Sequence, residues 1–177
     1  LINVHIITYS GNLFNPLEPK KCVINIEDIA HALSNMCRFS GHTKQFYSVA
    51  QHSVLVSNYV NPVNSFAALL HDASEAYIVD IPTPYKMTSM FSEYRNVEKV
   101  LMDEIYHRFH IENFDQDDIN SADHRVFAAE VRDLMQYSAY DDWNIKSQPV
   151  KEVIVPLLPH EAEQLFINRF IKLREQL

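Results

Sequence analysis

Glycine is nearly missing from this chain, with two residues in 177. Sandwiches and barrels turn the chain at many tight corners where glycine is favoured. Its scarcity, with apolar residues recurring at helical spacing, excludes them and leaves a mostly helical fold. Cysteine is as rare: Cys22 and Cys37 are too few for a disulfide framework, and two thiols in a reducing compartment is the simpler reading. Long hydrophobic runs are absent. No stretch approaches the roughly 18 apolar residues that span a bilayer, and the opening LINVHIITYS lacks the basic flank of a signal peptide. A soluble, cytoplasmic protein with no membrane partner is expected. Positive charge is also short, 15 Lys and Arg against 23 Asp and Glu, for a net charge of -8. That excludes broad binding of nucleic-acid polymers, so any phosphate ligand needs a local Arg, Lys or metal. What is present, 47% hydrophobic residues over 177 positions, suits one core and one domain spanning 1–177.

Local signals divide the chain. After an extended LINVHIITY and a turn-rich SGNLFNPLEPKK, Asn25 caps a first helix carrying Ile26, Ile29, Ala30 and Leu33, with Asp28 three residues past the cap. Ser48 and Gln51 have capping-box spacing at the start of a second helix, whose face holds Val49, His52, Leu55, Val56 and Tyr59. A third helix is expected over roughly 64–78, broken by the prolines of DIPTP. A fourth runs over roughly 89–110 with Phe91, Tyr94, Val97, Leu101, Ile105 and Phe109 on a mostly core face. The fifth starts near Asp115, and its stripe of Ile119, Ala122, Val126 and Ala129 flanks Asp123. YDDWNIKSQPVKEVIVPLLP is an irregular connection, and a last amphipathic helix starts near Pro159. The fold class expected is all-α, a single helical bundle with a short extended N-terminal segment.

Residues 69–86 read LLHDASEAYIVDIPTPYK, so titratable groups stand where the burial pattern points inward. Three helices each deliver such a group: His52 from the second, His71 with Asp72 from the third, Asp123 from the fifth. Isolated buried carboxylates cost several kcal/mol, and a shared metal is one partner that removes the cost. Two imidazoles and two carboxylates suit Mn, Fe, Co, Ni or Zn with open positions, rather than the closed thiolate shell of a structural zinc site. Consecutive helical side chains diverge by about 100 degrees, so His71 and Asp72 meet one ion only from the end of a turn.

HSVLVS, LLHDASEAYIVDIPTPYK and SADHRVF resemble the HD-domain metal-dependent phosphohydrolases, whose ligand order is His, His-Asp, Asp. The likeness is closest to the bacterial 5'-deoxynucleotidase branch and its short phage relatives, the dATP triphosphohydrolases of phages that build genomes with 2-aminoadenine. It runs from YSGNLFNPLEP through IEDIAHALSNMCRFSGH to PHEAEQLFINRF. The resemblance implies an HD-domain bundle and places the metal ligands on His52, His71, Asp72 and Asp123. It implies a divalent ion there, Zn, Mn, Co or Fe, and allows a second ion, Mg. Glu75 takes the catalytic place, polarising the attacking water or passing a proton to the leaving oxygen. Asp80 matches the acid that crowds the 2' position and selects deoxyribose.

Arg38 corresponds to the phosphate-binding arginine, whose fork suits phosphate oxygens. Phe39 departs from the tryptophan that the 5'-deoxynucleotidase branch sets against the sugar. Lys86, His42 and Lys44 are candidates for the charge that a longer phosphate chain needs. Trp143 is read as packing or as a base-stacking lid. The implied activity is release of deoxynucleoside and triphosphate from a dNTP, dATP first. The alternatives are a 5'-deoxynucleotidase acting on monophosphates and a non-catalytic nucleotide sensor. Host cytoplasm follows if the chain is phage-encoded. Aromatic-rich faces on the fourth and last helices suggest a homo-oligomer, dimer or hexamer.

Overall fold

In a computed structural model, residues 4–136 and 143–176 are described. The extended N-terminal segment pairs with itself: β1 (Ile6–Ile7) runs antiparallel to β2 (Leu13–Phe14), with Ile6 opposite Phe14. Gly11, at φ 84°, makes the turn, and its amide donates to the Thr8 carbonyl at 2.9 Å. The remaining elements are helical: α1 (Ile26–Asn35), α2 (Val49–Asn58), α3 (Ser65–Leu69), α4 (Glu75–Ile78), α5 (Thr83–Lys86), α6 (Ser92–Arg108), α7 (Gln116–Leu134) and α8 (Pro159–Arg174). None among the described residues is long and apolar enough to cross a membrane.

Side-chain caps start three of them. Asn25 accepts from the Asp28 amide at 2.8 Å, Ser48 from Gln51 at 3.2 Å, and Asp115 from Asp117 at 2.9 Å and Asp118 at 3.3 Å. The capping box expected at Ser48 is not closed. Gln51 instead donates to the Val155 carbonyl at 2.8 Å and accepts from the Leu157 amide at 2.9 Å, fastening the irregular chain before α8 to α2.

Two clusters of buried residues share a middle layer made of α2 and α3. On one side Val54, Leu69 and Leu70 pack with Ile29 and Leu33 of α1, Leu101 and Ile105 of α6, and Phe166 and Phe170 of α8. On the other, Val56, Ala67 and Ala68 pack with Ile119, Ala122, Val126 and Ala129 of α7. Lying between two layers, α2 is buried almost all round rather than on one face, and His52 has no exposed surface. Of the aromatic faces expected to serve self-association, Phe166 and Phe170 of α8 are core, whereas Tyr94 and Tyr106 of α6 and Phe109 just past its end are half-buried.

The third predicted helix is interrupted where it matters. Between α3 and α4, residues 70–74 form successive turns. Amides there bond three residues back, Ala73 to Leu70 at 3.0 Å and Glu75 to Asp72 at 3.0 Å, so the winding is tighter than in an α-helix. Val79 then ends α4 at φ 66°. Positive φ in a β-branched residue is a true outlier that costs about 1–3 kcal/mol. The Tyr94 hydroxyl donates to the Val79 carbonyl at 2.6 Å and holds the bend, which returns the chain toward the site at Asp80.

Candidate metal centre

His52 from α2, His71 and Asp72 from the turn after α3, and Asp123 from α7 converge. One ligand atom from each of His52, His71 and Asp72 lies within 4.8 Å of the others. His52 Nε2 is 3.1 Å from Asp123 Oδ1 and 3.7 Å from Asp72 Oδ2, and His71 Nε2 is 3.3 Å from the same Asp72 oxygen. The interrupted helix resolves the divergence expected of consecutive residues, since His71 and Asp72 leave a tight turn rather than a regular helix.

Both imidazoles are oriented from behind. His52 Nδ1 is 2.6 Å from Glu130 Oε1, and His71 Nδ1 is 2.7 Å from the Ala68 carbonyl. A proton on each Nδ1 leaves both Nε2 lone pairs facing the carboxylates, the arrangement by which proteins aim metal-ligating histidines. His52 Nε2 is wholly buried and has no hydrogen-bond partner, although Asp123 Oδ1 lies 3.1 Å away. The residues present fit a divalent cation.

Electrostatics agree with the geometry. Burial and Arg38 push the His52 pKa down, but Glu130 and Asp123 outweigh them and raise it to about 9. The pocket thus favours positive charge at Nε2. Burial alone would raise Asp123, yet His52, His71 and Arg38 hold it well below the usual carboxylate range.

Sequence reasoning missed Glu130. It is fully buried and joins His52 to Arg38, whose Nη2 donates to Glu130 Oε2 at 3.1 Å while Nη1 lies 3.7 Å from Asp72 Oδ2. Burial would raise the Glu130 carboxyl, but Arg38 and His52 reverse this and hold it down at about 2. The available signal was spacing, since Glu130 stands two helical turns beyond Asp123 on the same face of α7. Glu130→Gln is expected to weaken metal affinity roughly 10- to 100-fold, measured by competition with a chelator. Unchanged affinity would mean that Glu130 only balances Arg38.

The other predicted residues divide. Glu75 is buried, its Oε1 lies 3.9 Å from Lys86 Nζ, and its Oε2 has no partner. Burial, then Asp72 and Asp80, push its carboxyl well above the usual range. Asp80 is half-buried and is raised too, by burial and then Asp72, against the pull of Arg38. Lys86 donates to Glu98 at 2.9 Å. A cleft of about 470 Å³ runs from His71, Asp72 and Asp123 to Lys86, Arg95 and Glu98. Phe39 sits beside Arg38, in a turn that the Cys37 and Ser48 bridge closes. His42 and Lys44 are exposed and are not brought to the ligands: the Lys44 ammonium donates to the Asp133 carbonyl at 3.3 Å, pinning its loop to the end of α7.

No family model matches the chain. The uncharacterized protein YfdR of Escherichia coli (strain K12) is 39% identical over 174 residues, covering 95% of this chain and 94% of that protein. The uncharacterized protein RCAP_rcc00048 of Rhodobacter capsulatus is 42% identical over 86 residues, 44% of each chain. With that likeness to YfdR running over nearly the full length of both proteins, the chain belongs to the YfdR family.

Proposed function

We propose that this protein is a metal-dependent deoxynucleotide phosphohydrolase of the HD-domain superfamily, with dNTPs, dATP first, as substrates. The observation that carries the reading is the convergence of His52, His71, Asp72 and Asp123 from three separate segments, with both histidines aimed from behind. A bound divalent ion supplies a lowered pKa for its water and draws charge from a phosphoryl oxygen.

The chain's own groups do the rest. Arg38, held in place by Glu130, offers guanidinium protons beside Asp72 for a phosphoryl oxygen. Glu75, kept protonated by burial and by its acidic neighbours, gives its proton to the leaving oxygen. Water adds at the α phosphorus, the bond from phosphorus to the 5' oxygen breaks, and deoxynucleoside and tripolyphosphate leave. Asp80 closes the space for a 2' hydroxyl. The cleft beyond the ligands, with Lys86 and Arg95 in its wall, is where a phosphate chain extends.

A second reading has its own support. Lys86 is already paired with Glu98 at 2.9 Å, and Arg95 donates to the Thr88 carbonyl at 2.8 Å, so little cationic charge in the cleft is free for a long phosphate chain. That favours a 5'-deoxynucleotidase acting on monophosphates, where the same step releases orthophosphate.

Four dNTPs, their monophosphates and ATP, incubated with and without divalent metal and resolved by chromatography, separate the readings. We expect dATP to be consumed faster than dAMP, tripolyphosphate as first product, and little loss of ATP. Preference for dAMP with orthophosphate release would establish the nucleotidase reading. Tight binding without turnover would make the protein a nucleotide sensor.

A further inference from the structure

Phe39, Phe127 and Trp143 form an aromatic group that the chemistry above leaves unused. Their ring centroids are 5.9 Å (Phe39 to Phe127), 5.8 Å (Phe127 to Trp143) and 6.4 Å (Phe39 to Trp143) apart, and the planes lie within 10–20° of parallel. In a linear pile the outer two rings would be about twice as far apart as neighbours, which these separations exclude. The rings stand at the corners of a triangle with their planes near-parallel and offset, forming one aromatic wall.

Three observations make the wall more than loop packing. It is wet: Trp143 is 47% exposed and both phenylalanines are only half-buried, where a packing role would bury them. It is tied to the metal centre at two points, since Phe127 follows Asp123 by one turn of α7 and Phe39 directly follows Arg38. It is also held under strain. Phe39 and Ser40, at φ 53° and 50°, both occupy the left-handed region that favours glycine, and the Arg38 guanidinium sits 5.5 Å above the Phe39 ring. Strain next to a site persists when the position it imposes is used.

We infer that this wall is the nucleobase platform of the site, taking the flat face of a purine or pyrimidine whose phosphate end reaches the metal ligands. The inference rests on the proposed function for the phosphate end. It adds the class of group bound at the other end and the way it is recognised. A wall of ring faces grips a base through stacking and reads no base edge, so all four bases are accepted, with purines favoured by their larger face.

Trp143 is the sole tryptophan in the chain, so its emission reports on the wall directly. The unmodified protein is titrated with deoxyadenosine, dAMP, 2-deoxyribose 5-phosphate and tripolyphosphate. Deoxyadenosine and dAMP should quench or shift the emission, whereas the two base-free ligands should leave it unchanged while displacing dAMP. Phe127→Leu, or Phe39→Leu should the first variant fold poorly, should weaken dAMP binding roughly tenfold or more and leave tripolyphosphate binding as it was. Equal losses for base-bearing and base-free ligands would overturn the inference. So would the absence of base-dependent quenching, even in a protein that hydrolyses nucleotides well. Base-dependent quenching supports it even where no turnover is seen, which separates its failure from that of the hydrolase reading.

Discussion

Asp72→Ala should reduce turnover to the uncatalysed background and bring bound metal well below one ion per chain. Asp72 Oδ2 lies 3.3 Å from His71 Nε2 and 3.7 Å from both His52 Nε2 and Arg38 Nη1, so one carboxylate faces both imidazoles and a buried guanidinium. Its removal deletes a ligand and also leaves positive charge in the interior with less compensation, a change that costs about 3–5 kcal/mol where pairs are buried. Elemental analysis and activity, read together on a variant whose helical circular dichroism matches the parent, check it. Retention of both metal and activity would remove Asp72 from the ligand set.

Glu75→Ala should behave differently in kind. The variant is expected to keep its metal and lose roughly a hundredfold or more in kcat, the usual contribution of a positioned proton donor. Glu75 is 4% exposed, and its Oε2 is buried without a partner. A burden of this kind is tolerated at functional sites and seldom elsewhere. Single-turnover kinetics with metal content measured on the same sample decide the matter. Loss of the metal as complete as in Asp72→Ala would make Glu75 a ligand instead.

Asp72 and Glu75 could both be singled out in the sequence, because they stand in one short stretch beside an apolar run where the burial pattern points inward. Caps were legible for a similar reason: Asn25, Ser48 and Asp115 act on amides two or three residues away, so a local pattern suffices. Asp123 could be singled out because a carboxylate inside a stripe of Ile119, Ala122, Val126 and Ala129 contradicts the stripe.

Glu130 could not be found the same way. Its spacing from Asp123 places it on the site's face of α7, but followed closely by Arg132 and Asp133 it looks like a solvated helix charge, and the contacts with His52 and Arg38, 78 and 92 positions away, give its purpose. Gln51 satisfied a local pattern but was drawn to Val155 and Leu157 by tertiary contacts, which local spacing does not encode. The break between α3 and α4 has no glycine or proline to announce it, and the left-handed Val79 falls on a residue type that sequence rules place in strands. Local signals therefore carried most of the elements and singled out His52, His71, Asp72 and Asp123. The parts set by long-range contacts are the ones that orient His52 and Arg38.

Metal content is the most direct test of the central claim that four inward side chains hold a catalytic ion. Protein purified without chelators or metal-affinity resin is analysed for its elements, then assayed before and after chelation and after return of the ion. The account predicts about one transition metal per chain, loss of phosphohydrolase activity on chelation, and recovery on reloading. Stoichiometry well below one, with activity unchanged by chelator, would contradict it.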